Sequence, residues 1–245
     1  MFEPFARCAG RLGGSTDWPR RSALDALLAE HRVRNARGDA LRAVGPGVGG
    51  AAAYEGRVFE RRELAVREGE WHDLMNVLVW CVFPATKAAL NARHAESAAA
   101  EAGGRRGRAR DALTLFDESG AIVVSSDADL LDELRAFRWR ELFVGKRARV
   151  RTALRVYLFG HGLLEKALAP YVGMTAQAIT LAVDREVIEN RALVDRATAK
   201  YVADVLTTPR DLAPLPVLGV PGWWKANEEE AFYDDTAYFR PGRRR

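Results

Sequence analysis

Cysteine is almost absent from this chain: Cys8 and Cys81 are the only two in 245 residues, and they form no C-x-x-C pair. That scarcity excludes a disulfide framework and a cysteine-built zinc module, and it fits a reducing compartment. Cys81, inside an apolar run, reads as a small core residue. Also missing are H-E-x-x-H, a P-loop and G-x-S-x-G, so none of the compact signatures of zinc peptidases, nucleotide hydrolases or serine hydrolases is present. Long hydrophobic runs are lacking as well. The most apolar stretch, residues 74–83, is interrupted by Asn76 and falls short of a bilayer span, while the first twelve residues carry Glu3 and Arg7 where a secretory signal needs apolar residues. The expectation is a cytoplasmic protein without a membrane partner.

Charge of one sign is also scarce. The net charge is +4, but Arg243, Arg244 and Arg245 supply three of those charges, so the body of the chain is nearly balanced. A nucleic-acid-binding protein usually spreads its basic residues over one face, because each neutralised phosphate releases counterions. Nucleic acid is therefore a partner to consider but not the favoured one. What the chain does have is 48% hydrophobic residues and 29% charged ones, enough to bury a core. Its length suits one domain, 1–245, with a mobile loop at 101–110 and a basic tail at 242–245.

The pattern predicts an α+β fold with a small, mainly antiparallel sheet covered by helices and an ordered, irregular C-terminal segment. Residues 22–34 form an amphipathic helix with Leu24, Leu27 and Leu28 at helical spacing. Residues 45–50, GPGVGG, match G-x-G-x-x-G formally, but Pro46 sits inside the turn and no βαβ unit follows, so they read as a loop. One or two short strands are expected over 54–66. Residues 71–83 read as a helix apolar round most of its circumference, and Pro84 opens a second helix to about residue 102. Segments 112–116 and 121–125 flank Asp117-Glu118-Ser119-Gly120 and read as a β-hairpin with Gly120 at positive φ. A helix over 127–135, strands over 150–159 and 176–183, a short helix over 161–168 and a long one over 184–206 complete the series.

Several phrases together resemble an uncharacterised bacterial family, the domain of unknown function DUF3025. They are WHDLMNVLVWCVFPATKAALN (71–91), RDALTLFDESG (110–120), FGHGLLEK with PY (159–171), PLPVLGVPGWW (214–224), and FYDD with FRP (232–241). The resemblance spans most of the chain and implies a common fold and a bacterial cytosolic origin. It implies no activity.

The chemistry-bearing residues fall in three distant stretches. His72 and Asp73 begin the apolar helix, with Asn76 one turn after His72. His161 stands at a strand-to-helix junction with Glu165 one turn on, and Lys166 and Tyr171 follow. Arg110 and Asp111 precede the expected hairpin, where Asp111 is placed to point into the same cleft. Asp117 and Glu118 read as turn residues bonding their own backbone. Should these stretches converge, His72, Asp111 and His161 can hold a divalent metal, with Asp73 and Glu165 completing a hydrolytic centre. Two other classes remain open. One is a nucleic-acid- or protein-binding module using residues 105–110 and the C-terminal segment, and the other is a non-catalytic protein that binds a small-molecule ligand.

Overall fold

The computed structural model describes residues 1–13, 18–47, 51–100 and 107–242, without the side chains of 51–53, 99 and 100. Two short helices open it, α1 (Ala6–Leu12) and α2 (Arg21–Glu30). Strand β1 (Arg42–Val44) pairs in parallel with β2 (Glu63–Ala65), and helix α3 (Ala51–Gly56) and a π-helical turn over Arg57–Arg61 fill the connection. Then come α4 (Trp71–Val82), α5 (Pro84–Ala100) and α6 (Arg108–Ser119), which runs directly into strand β3 (Gly120–Ser125). Helices α7 (Ala128–Arg135) and α8 (Arg147–Ala153) lead to strand β4 (Leu154–Leu158) and helix α9 (His161–Lys166). Strand β5 (Thr175–Ala182), helices α10 (Arg185–Glu189) and α11 (Arg191–Asp204) and strand β6 (Ala213–Pro216) follow.

The main sheet has the order β4-β3-β5-β6 and is mixed. Its central pair, β3 with β5, is parallel, and the two outer pairings are antiparallel. Every residue of β3 is buried, which explains why it reads as a continuous apolar run and not as an alternating one: a central strand covered on both faces has no solvent side. The chain is thus α+β, and its buried apolar side chains form one continuous cluster.

Helix α4 is buried from Leu74 to Val82, so its hydrophobicity all round the axis answers to packing on every side. Pro84 ends it, and α5 departs at 113° from the α4 axis. The first N–H groups of α5 have no partner within their own helix. Asp195 of α11 accepts from Ala85 and Thr86 N–H, each at 2.9 Å, and from the Thr86 hydroxyl at 2.7 Å, so a carboxylate distant in sequence caps this helix. Among the described residues no single helix is long and apolar enough to cross a membrane.

The expected hairpin over 112–125 is absent. Residues 108–119 are helical, with Ala112, Leu113, Phe116 and Asp117 buried at helical spacing. Gly120 has φ −73°, not a positive value. It is glycine for another reason: a Cβ there would lie 2.1 Å from the Phe116 carbonyl oxygen, because the strand leaves the helix end at very close range. Residues 54–61 are helical where strands were expected, leaving only β2. Residues 150–153 belong to α8, so the strand there begins at Leu154. The long helix over 184–206 is two helices broken at Asn190, whose Oδ1 accepts from Ala192 and Leu193 N–H and restarts the helix as α11. Of the GPGVGG stretch, residues 48–50 lie outside the described residues, as do 101–106 of the arginine-rich loop and Arg243, Arg244 and Arg245.

Candidate metal centre

Three elements meet at one end of the sheet. Helix α4 brings His72 in its first turn, α6 brings Asp117 and Glu118 in its last, and α9 begins at His161. The approach is close because two glycines flank His161. A Cβ at Gly160 would lie 2.3 Å from Gly120 N and 2.5 Å from Ser119 N, and one at Gly162 would lie 2.7 Å from a Glu118 carboxylate oxygen and 3.5 Å from His72 Cε1. Phe159 and Gly160 N–H both donate to the Gly120 carbonyl, at 3.0 and 2.9 Å. The G-H-G sequence therefore lets the start of α9 lie against the end of α6.

The imidazoles of His72 and His161 meet edge to face with centroids 4.4 Å apart. Nε2 of His161 is 3.5 Å and Nε2 of His72 is 3.9 Å from the same Glu118 Oε1. One donor atom from each of the three side chains lies within 4.8 Å of the others. Zinc bound at ~2.0–2.2 Å by tetrahedral ligands holds them at about 3.4 Å from one another, so rotamer adjustments of about an ångström complete the set. Behind each ring stands a carboxylate. Glu165 Oε2 is 3.1 Å from His72 Nδ1, and Asp117 Oδ2 is 3.7 Å from His161 Nδ1. The first is a hydrogen bond of the kind by which a second carboxylate fixes a ligand histidine's tautomer and orientation, whereas Asp117 stands beyond hydrogen-bond reach of the His161 ring.

Burial pushes the His161 imidazolium down to about 4, against the pull of Asp117, so the ring is neutral at pH 7 and keeps a lone pair for a cation. Burial also raises the Glu118 carboxyl, and the charge of Asp117 adds to the effect while His72 opposes it. Asp117 itself is held below the usual carboxylate range. Its burial works the other way, but Lys87 Nζ sits 2.6 Å from Oδ1 in an ion pair closed to solvent, and His161 lies beside it.

His72, Asp117, Glu118 and His161 line the floor of a cleft of about 460 Å³. Asp73 lies in its wall, taken up by Arg67: the backbone N–H, Nε and Nη2 of Arg67 all donate to it at 2.8 Å. Although partial burial disfavours its charge, those bonds keep Asp73 below the ordinary carboxylate range. Asn76 donates to the Tyr54 hydroxyl at 2.7 Å. Glu55, on the same wall, accepts from Asn91 at 2.6 Å and is pushed up to about 7 by burial and by the charge of Asp117, with Lys87, Asn91 and Arg110 opposing.

The profile of a family described as "Protein of unknown function (DUF3025)" matches residues 20–243. The chain belongs to this DUF3025 family. No curated protein and no solved structure matches it.

Of the residues singled out in the DUF3025 sequence, His72, His161 and Glu165 come together, and Asp73, Asn76 and Arg110 line the same cleft. Asp111 is exposed in the first turn of α6 and is not part of the cleft lining, since the segment taken for a strand is a helix. Lys166 and Tyr171 are also exposed and lie outside the lining. Glu118, Asp117, Lys87 and Glu55 were not foreseen as site residues. The signal for Glu118 was the helical spacing of Ala112, Leu113 and Phe116, which sets the last turn of α6 against the partners of its buried face.

Proposed function

We propose that this protein is a divalent-metal-dependent hydrolase whose cation, zinc by the character of its ligands, is held by His72, Glu118 and His161. The observation that carries this reading is the meeting of the two Nε2 atoms and the Glu118 carboxylate, with a carboxylate behind each imidazole. Two histidines and one glutamate are a ligand set of catalytic zinc, which leaves a fourth position for water or substrate. Bound there, a cation would supply Lewis acidity and lower the pKa of a water toward neutrality.

The chain's own residues supply the rest. His161, neutral and enclosed, presents Nε2 to the cleft, while Asp117, anchored by Lys87, places its charge 3.7 Å from Nδ1 of the ring. His72 and Glu118 are half-exposed at the cleft floor, where a substrate has access. Glu165 orients His72 in this reading and does not meet the substrate. Asp73, committed to Arg67, shapes the wall. Both cysteines are free and buried, in keeping with a reducing, cytoplasmic setting.

Elemental analysis of the purified protein, before and after incubation with zinc and dialysis, tests the proposal. One equivalent of metal is expected in the parent, a large loss in His72→Ala and Glu118→Gln, and a weakening of about 10- to 100-fold in Glu165→Gln at unchanged melting temperature. A parent that retains no divalent metal after such loading refutes the proposal.

A further inference from the structure

We infer that the cleft takes a small phosphate ester, with Arg57, Arg67 and Arg110 forming the clamp for its phosphate group. This inference rests on the hydrolase reading and names its substrate class. The three arginines come from the turn after α3, the loop after β2 and the first turn of α6, and all three line the cleft that holds His72, Glu118 and His161.

The first two guanidinium groups are fixed in advance. Arg67 gives Nε and Nη2 to Asp73, and Nη1 is not engaged in that pair. Arg57 gives Nε to Glu63 Oε2 at 3.3 Å, and only 16% of its side chain is exposed. Its other end lies on the Gly47 backbone so closely that a Cβ there would fall 1.4 Å from Nη1 and 2.3 Å from Cζ. Gly47 is thus explained by the arginine it accommodates, not by a dinucleotide. Arginine offers five donors in a rigid fork, so one held at Nε still has donors for phosphate oxygens.

The carboxylates of the cleft are largely taken up. Asp73 is matched by Arg67 and Asp117 by Lys87, Arg110 draws on Glu55, and Glu118 is committed to the metal in the hydrolase reading. With Arg57 matched by Glu63 and a cation in place, the charges around the cleft are close to balanced, so an anion would be met by the cation and by the guanidinium donors that the carboxylates leave over. Three forks from three elements suit the several oxygens of a tetrahedral phosphate, whereas a planar carboxylate is satisfied by one. A volume of about 460 Å³ is that of a small-molecule site, not of a polymer groove. A second cavity of about 230 Å³ shares Glu55, His94 and Arg110 with the cleft and adds Gly56, Phe59, Glu60, Ala95 and Ala98, a mixed polar and apolar space for the alcohol portion.

The reaction is hydrolysis without redox change. Water oxygen forms a new bond to phosphorus, the ester P–O bond breaks with its electron pair going to the leaving oxygen, and the proton released by water ends on that alcohol. Free phosphate and alcohol are the products.

The test is calorimetric titration of the full chain, zinc-loaded, with inorganic phosphate, using acetate as the comparison anion and measuring zinc content in the same samples. Saturable phosphate binding is expected, weakened about tenfold or more in Arg110→Gln and in Arg57→Lys, with zinc retained and acetate much weaker. Zinc retention without phosphate binding, or equal binding in the arginine variants, overturns the clamp and leaves the metal reading standing. Acetate binding as tightly as phosphate overturns the phosphate assignment. Should zinc fail to bind, the hydrolase reading falls, and the same titration of the metal-free chain decides the clamp: arginine-dependent phosphate binding sustains it and its absence ends it.

Discussion

At Glu55 a single carboxyl shows how the cleft biases proton affinity. Its ordinary value of 4.5 rises to about 7 in the folded chain, chiefly through burial, with Asp117 adding repulsion. The folded state therefore binds more protons than the unfolded state between those two values, and stability falls as pH rises through that window. Replacing Glu55 by glutamine removes the ionisation but keeps an acceptor for Asn91. The expected outcome is that Glu55→Gln melts at a temperature close to the parent's at pH 4.5 and above it at pH 8, as followed by calorimetry across pH. An equal offset at both pH values contradicts the assignment. Two neighbouring acids differ by environment alone: Asp117, with Lys87 at 2.6 Å, lies below the usual range, and Glu118, without so close a cation, lies above it.

Between elements, the contact that makes the centre is that of α6 with α9, and its glycines separate folding from binding. At Gly160 an added methyl would meet backbone nitrogens of Ser119 and Gly120 at 2.5 and 2.3 Å, atoms that cannot rotate away. Gly160→Ala is expected to cost ~1–3 kcal/mol or more in denaturant unfolding. At Gly162, within α9, the closest obstacle is the end of the Glu118 side chain at 2.7 Å, which can move, the Glu118 carbonyl oxygen at 3.2 Å asks for a shift of only a few tenths of an ångström, and alanine is the better helix former by ~0.5–1 kcal/mol. Gly162→Ala should stay within about 1 kcal/mol of the parent in stability while binding zinc more weakly, because the methyl displaces the carboxylate proposed as a ligand. Loss of stability without loss of zinc affinity would place Glu118 outside the centre. These glycines were visible in the sequence as a pair flanking a histidine at a strand-to-helix junction. Their purpose was not, because it depends on the end of α6, and that helix reads as a hairpin when Asp117-Glu118-Ser119-Gly120 is taken for a turn. Both a turn and a helix terminus recruit short polar residues and glycine, so the local signal is shared, and the buried spacing of Leu113 and Phe116 decides for the helix.

Over the whole chain, what the sequence made legible were the elements with strong local patterns: the apolar helix α4, the proline-started α5, α7, and the β5 strand. Strand order stayed out of reach, since the parallel β3–β5 pair joins segments separated by two helices, a strand and a further helix. The site followed the same division. His72, His161 and Glu165 stood out by residue type and position, whereas Lys87 and Asp117, 30 residues apart, become partners only through tertiary packing. Burying that pair supports the argument that the region is built for a site: two opposite charges removed from water add little net stability, so their presence behind a histidine calls for a role at that ring. The proposed chemistry requires one cation seated where α4, α6 and α9 converge. Anomalous diffraction at the zinc edge from crystals of the zinc-loaded protein measures this directly. A peak bonded to Nε2 of His72, Nε2 of His161 and a carboxylate oxygen of Glu118 is the predicted result; zinc bound elsewhere, or a cleft without a peak, contradicts it.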